Sequence, residues 1–271
     1  MKFLACLIFF ACTLSPIAAQ WIDYPTPNVP RSPDGKPNLS APAPRAADGK
    51  PDLSGLWEPE QRGRIGEGSI GIAPGDDPVT PEFINIGFHL EGGLPYQPWA
   101  AQLAKKRRLE EHGAHDPLGN GFPVGIVRLH SYATPRKMIQ NPGLLVILYE
   151  LNSTFRQIFT DARPLSGDPN PTWNGYSSGK WEGDVLVVKT NGFREGIWLD
   201  SGGSPLSEGA VMTEKFHRVN FGRLEIELTV EDLKTYTKPW TVNMVQTIKL
   251  DTDLLDKVML ENEKDIQHLV N

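Results

Sequence analysis

Residues 210–230 read AVMTEKFHRVNFGRLEIELTV, and this stretch decides the fold. It has the pattern of a β-hairpin. Asn220-Phe221-Gly222 suits a three-residue loop, a type I turn followed by Gly222 in the left-handed region. That loop sets Val219 against Arg223, Arg218 against Leu224, His217 against Glu225, Phe216 against Ile226 and Glu214 against Leu228. Side chains alternate across a strand, so two faces follow. Lys215, His217, Glu225 and Glu227 share the face suited to water. Met212, Phe216, Leu224, Ile226, Leu228 and Val230 share the other, with Glu214 and Arg218 among them. A four-residue loop would set Arg218 against Glu225 instead. The three-residue register is preferred because it separates polar from apolar. In either register Glu214 lies beside Met212 and Phe216. A carboxylate there needs a partner or must hold its proton. It is either a catalytic acid or base, or half of a structural ion pair with Arg218 on the same face.

Strand patterns continue on both sides of the hairpin. They cover Gly55–Glu58, Arg136–Gln140, Leu144–Glu150, Phe155–Asp161, Gly175–Trp181, Asp184–Thr190 and Thr237–Leu250. Leu144–Glu150 is apolar on both faces. Asn152-Ser153 turns it into the next strand, pairing Tyr149 with Arg156. Arg156 then lies on the face of Ile147 and Ile158. Glu182-Gly183 reads as a tight loop pairing Trp181 with Asp184. About nine strands joined mostly by hairpin-sized connections predict a mainly β protein. The expected fold is an antiparallel meander closing into a lipocalin-like barrel with a C-terminal helix over 252–269, a β-sandwich being the alternative.

Residues 1–20 read as a signal peptide: Lys2, an apolar run from Phe3 to Leu14, and the small-residue signal Ile17-Ala18-Ala19. Export to the periplasm or beyond follows. Both cysteines, Cys6 and Cys12, fall in this segment, so the mature chain has no disulfide, thiol nucleophile or thiolate metal site. No run approaches the ~20 apolar residues of a membrane span. Removing Lys2 takes the net charge from −6 to −7, which argues against nucleic-acid binding. Residues 21–54 form a proline-rich arm, and 55–271 a single barrel domain. The arm contains a duplication: Asp34-Gly35-Lys36-Pro37-Asn38-Leu39-Ser40 recurs as Asp48-Gly49-Lys50-Pro51-Asp52-Leu53-Ser54.

Residues 62–78 are a glycine-rich loop without the strand, helix and Lys-Ser/Thr that a phosphate loop needs. Residues 98–112 form a helical insertion, with Pro98 in its first turn and Trp99, Leu103 and Leu109 available to dock it. Gly113 ends that helix, so His112 and His115 share no rigid face for a metal. No metal or cofactor is expected. His130 closes the run Ile126-Val127-Arg128-Leu129-His130 and points towards a cleft with Arg128, or is a hydrogen-bonded structural histidine. Asp200 and Glu195 lie in a loop and read as solvated carboxylates or candidate site groups.

Two resemblances add to this. Gly55-Leu56-Trp57 resembles the Gly-x-Trp at the first strand of lipocalins, which implies that Trp57 plugs the closed end of the barrel. The segments Asn141-Pro142-Gly143, Arg156–Asp161, Pro169–Tyr176, Trp181–Asp184 and Tyr236–Trp240 resemble a group of exported bacterial proteins. That resemblance spans about half the chain and implies no particular reaction. The group often carries a histidine where this chain has Leu206 and a cysteine near Gly121.

The functional expectation is a barrel cavity that binds a small apolar or amphipathic molecule. Arg156, Arg218, Trp57, Phe216, Tyr149 and Trp240 are its candidate binding residues. An alternative is a non-redox enzyme (isomerase, cyclase, lyase or hydrolase) using Glu214 and His130 as acid and base. A third reading is an envelope interaction module whose proline-rich arm holds a partner.

Overall fold

The computed structural model describes residues 24–60 and 80–258. The expected signal peptide, the 62–78 loop and residues 259–269 of the expected terminal helix lie outside the described residues. The strands are β1 (Gly55–Pro59), β2 (Arg136–Asn141), β3 (Leu144–Tyr149), β4 (Thr154–Phe159), β5 (Tyr176–Glu182), β6 (Val185–Asn191), β7 (Val211–Asn220), β8 (Arg223–Glu231) and β9 (Trp240–Ile248). The helices are α1 (Pro81–Ile84), α2 (Pro98–Leu109) and α3 (Ile126–Ser131). No helix among the described residues is long and apolar enough to cross a membrane.

The nine strands close in sequence order, with β1 pairing β9 through Trp57↔Ile248. The closed barrel is the expected one, mostly antiparallel, with one joint of the other kind. β4 and β5 run parallel, paired only through Ile158↔Ser177 and Phe159↔Ser178. The reason is parity. Strand direction must return to itself around a closed ring, so antiparallel joints come in even numbers. A nine-stranded ring therefore needs at least one parallel joint. A parallel neighbour requires a crossover, which the long connection between Phe159 and Tyr176 supplies.

The register of β7 and β8 is the expected one from Glu214↔Leu228 to Arg218↔Leu224. Beyond Arg218 it shifts, and Asn220 pairs with Arg223 instead of Val219. Gly222 is not in the left-handed region. It is small for another reason: a Cβ there would sit 2.7 Å from Leu39 Cβ, where the arm crosses the turn. Two other hairpins keep their expected faces but slide along the partner. Tyr149 pairs with Thr154 and Ile147 with Arg156, because the turn is centred one residue earlier, on Leu151-Asn152. Glu182 pairs with Val185, moving the tight turn to Gly183-Asp184, where Gly183 takes φ +61°. A two-residue slide preserves which side chains face inward.

Helix α2 starts at Pro98 as expected but docks differently. Ala100 and Ala104 are its buried residues, whereas Trp99 and Leu109 are about half exposed. Small side chains let the helix lie close, and Trp99 Nε1 instead donates to the Lys234 carbonyl at 2.9 Å. Residues 252–258 are not helical; Lys257 makes a parallel bridge with Leu151.

The interior is packed rather than hollow. Leu145, Ile147, Ile158, Leu186, Val188, Phe216, Leu224, Ile226 and Leu228 have no exposed surface. One end is closed by Leu53, Trp57 and Phe221. Trp57 is fully buried and its Nε1 donates to the Leu53 carbonyl at 3.0 Å. Arg218 lies over the Trp57 ring at 4.9 Å and donates to the carbonyls of Asp52, Ser54, Asn220 and Phe221. At the opposite end α3 enters the barrel with all six residues buried. Buried Arg136 holds it there, donating to the carbonyls of His130, Tyr132 and Thr134 and to Gln246 Oε1.

The duplicated leucines thus have opposite fates: Leu53 is fully buried, and Leu39 is 44% exposed. Leu53→Ala should cost about 2–5 kcal/mol, whereas Leu39→Ala should stay within about 0.5 kcal/mol. Equilibrium denaturation of the two variants checks the contrast. Equal effects would contradict this placement of the arm.

Candidate functional site

Alternation along β7 turns Glu214 inward between Met212 and Phe216, and β6 places Val188 opposite it. β4 turns Arg156 inward by the same rule, and α3 delivers His130 from the covered end. The three meet. His130 Nε2 lies 2.9 Å from Glu214 Oε1. Arg156 Nη1 donates to Glu214 Oε1 at 3.0 Å and its Nη2 to Oε2, a two-pronged grip. Arg156 Nε and Nη2 also donate to Ser177 Oγ, at 3.1 and 3.0 Å, and Nη2 to Thr190 Oγ1 at 3.0 Å. Ser177 and Thr190 lie 3.0 Å from each other. One guanidinium on β4 therefore ties together β5, β6 and β7 from inside the barrel.

Burial by itself would raise the pKa of Glu214. The charge of Arg156 and hydrogen bonds from His130 and Arg156 outweigh it and hold the carboxyl at about 2. Glu214 is thus a carboxylate, not a proton store. For His130, burial dominates and lowers its pKa, although the Glu214 hydrogen bond works in the other direction. His130 is therefore neutral, with its proton on Nε2 facing Glu214. That leaves Nδ1 as a bare acceptor, and it has no hydrogen-bond partner. The buried Tyr149 hydroxyl faces the Arg156 guanidinium, and burial pushes its pKa up to about 12. The His130 ring meets Tyr149 and Phe216 edge to face, at 6.2 and 5.9 Å between centroids.

Five of the sequence candidates, Glu214, His130, Arg156, Tyr149 and Phe216, come together here. Three do not. Arg218 is not the partner of Glu214; it caps carbonyls at the closed end beside Trp57, because the arm brings those carbonyls within reach. Trp240 lies near the covered end, packed edge to face on Tyr236 at 5.4 Å. Arg128 does not share a cleft with His130 but pairs with Asp116 at 2.5 and 2.9 Å. Asp200 is buried, accepting from Ile86 N, Ser204 N and Ser204 Oγ, while Glu195 is exposed. Ser177 and Thr190 were legible in principle, since they face each other on the inward side of their strands.

A second feature lies outside the ring, at the parallel joint. Residues Thr154–Gln157 of β4 have no strand neighbour on that side. A groove of about 560 Å³ opens there, walled by Phe155, Phe159, Trp173 and Tyr176, with Arg156 and Ser177 also along it. Trp173 is fixed between the Phe122 ring, stacked at 5.9 Å, and the Arg194 guanidinium at 4.6 Å. Asn174 Nδ2 donates to the Phe155 carbonyl at 3.1 Å, holding the far wall to the strand edge. No family model, curated protein or solved structure matches this chain.

Glu214→Gln leaves the buried charge of Arg156 unneutralised and should cost about 3–5 kcal/mol, a fall of roughly 2–4 °C in Tm per kcal/mol. Glu214→Met combined with Arg156→Met should cost much less, because Ser177 and Thr190 still bond each other. Thermal melts of both variants check this; a double variant as unstable as Glu214→Gln would mean that the pair is not the source of the effect. pH dependence follows from the same groups. The folded pKa of Glu214 lies below its unfolded value of about 4.3, so its stabilisation is present above that pH and is lost as pH falls towards about 2. His130 also has a lowered folded pKa, so the unfolded chain takes up its proton first, and stability falls as pH drops below about 6.5. Tm should decline from pH 7 to 4, and His130→Gln, which can still donate to Glu214, should flatten the upper part of that decline.

Proposed function

We propose that this is an exported protein that binds a small, partly apolar molecule in the groove at the β4–β5 joint. The observation that carries the reading is the groove itself: about 560 Å³, within the ordinary range for ligand sites, and walled by four aromatic side chains. Phe155 is 59% exposed and Tyr176 is 40% exposed. Aromatic groups left in water at a concave site favour an apolar occupant. The unpaired edge of β4 supplies backbone donors and acceptors for a polar end of the ligand. The packed barrel centre supports this position over a site in the lumen.

A second reading, acid–base catalysis without redox chemistry, draws on His130. Its Nε2 is committed to a carboxylate and its Nδ1 is an unpaired base, the arrangement that general-base chemistry uses. Buried α3 covers that nitrogen, so this reading requires the helix to move.

Native mass spectrometry of the protein from its host, before and after denaturation, identifies a retained molecule. Titration with an anilinonaphthalene probe measures the groove directly. Phe155→Ala and Tyr176→Ala should each weaken probe binding by about 5- to 30-fold, the equivalent of about 1–2 kcal/mol, with little change in Tm. Binding that is unchanged in both variants would place the ligand elsewhere.

A further inference from the structure

The duplicated arm segment forms the same turn twice, in two different surroundings. Residues 30–40 read PRSPDGKPNLS and residues 44–54 read PRAADGKPDLS. Ser32 N donates to the Lys36 carbonyl at 2.9 Å, and Ala46 N to that of Lys50 at 2.8 Å. Asn38 N donates to Pro30 O at 2.7 Å, and Asp52 N to Pro44 O at 2.8 Å. Arg31 and Arg45 donate through Nη1 to the carbonyls of Gly35 and Gly49. Gly35 and Gly49 take φ of +81° and +80°.

The second copy shows what this turn recognises. Arg45 grips both carboxylate oxygens of Asp184, at 2.6 and 2.7 Å, and Lys50 Nζ reaches the Gly183 carbonyl at 3.4 Å. Its target is the tight turn between β5 and β6, an acidic side chain preceded by an outward carbonyl. The first copy presents the same two cations to solvent. Arg31 and Lys36 are exposed. Among the described residues Arg31 makes no ion pair, and Lys36 rests on its own Asp34 at 3.1 Å. The other end of this copy is fixed to the barrel: Gly222 N donates to Leu39 O and Phe221 N to Ala41 O, both at 2.8 Å. Leu39 stands exposed beside the two cations in sequence, on a segment whose position the barrel sets.

We propose that the first copy is a docking element for an acidic turn on a partner protein. Arg31 takes the carboxylate through two parallel N–H groups, Lys36 takes the preceding carbonyl, and Leu39 adds an apolar contact. Charge complementarity selects the occupant, and the second copy supplies the geometry. A second copy of this chain does not offer the turn while its Asp184 is held by its own Arg45. The inference is independent of the groove.

An exposed ion pair binds weakly on its own, so the test uses millimolar peptide and the full chain. The probe is a cyclic peptide carrying Lys-Trp-Glu-Gly-Asp-Val-Leu-Val, the sequence of residues 180–187. Backbone amide NMR should show saturable shifts at Gly35 and Lys36. These should vanish with a peptide whose Asp is replaced by Asn, and in the Arg31→Ala protein, where unchanged amide shifts of Ser32 and Asn38 show that the turn survives the loss of the Arg31–Gly35 bond. Shifts absent from the first copy, or persisting with either change, would overturn the proposal. Sedimentation of the chain alone separates self-association: a dimer that is lost in Asp184→Asn would overturn it in favour of a swapped contact between copies.

Discussion

A ring of nine strands cannot close with antiparallel joints alone. The rest of this structure depends on where the single parallel joint falls and how it is held. Between β4 and β5 only two residue pairs form, and parallel pairing is slightly the weaker kind. The interior compensates. Arg156, on the weak side of the joint, reaches Ser177 on β5, Thr190 on β6 and Glu214 on β7. Its charge cannot be buried without a counter-charge, so Glu214 is as much a requirement of the joint as a candidate for chemistry. Outside, the same short pairing leaves four of the six β4 residues without a neighbour on that side, and that is where the groove opens. The clip within and the groove without are two consequences of one topological constraint.

The position of His130 follows from this arrangement. Glu214 has oxygen lone pairs beyond those that Arg156 uses, and α3 brings an imidazole to one of them. Burial keeps the ring neutral, while the carboxylate fixes which nitrogen holds the proton. The Nδ1 of His130 is then left as a buried acceptor without a hydrogen-bond partner among the described residues. Buried polar atoms without partners are uncommon in native proteins, and this one belongs to the ring that is bonded to the buried Glu214–Arg156 pair. A catalytic role for Glu214 and His130 would draw on that nitrogen, whereas the groove is open to solvent.

Much of the ring was legible because strand alternation has a period of two. The faces of Glu214, Arg156, Ile147 and Phe216 survive any slide by two residues, which is why they were assigned correctly even where the hairpins shifted. Exact register was less legible. Gly222 illustrates why: its smallness serves the approach of Leu39, a contact from far away in sequence, and not a left-handed turn conformation. The partner of Glu214 was misread for a related reason. Arg218 is its neighbour on one strand, whereas Arg156 is distant in sequence and becomes a neighbour only across the closed barrel. The groove was invisible because it arises from a joint that is missing most of its pairs, and no residue pattern encodes a missing pair.

The arm shows how one short motif acquires different roles from its surroundings. Both copies fold through their own hydrogen bonds, so the turn needs no support from the barrel. The second copy then commits everything it has: Leu53 to the closed end, Arg45 and Lys50 to the β5–β6 turn, and the Asp52 carbonyl to Arg218. The first commits only its backbone, at Leu39 and Ala41. Among the described residues this copy is tied to the barrel through main-chain bonds, and its Arg31, Lys36 and Leu39 side chains, the counterparts of those that the second copy uses, stay exposed. Their exposure on a fixed frame avoids much of the ordering cost that a flexible binding segment incurs, and this is the physical basis for treating the arm as a recognition surface rather than a tether.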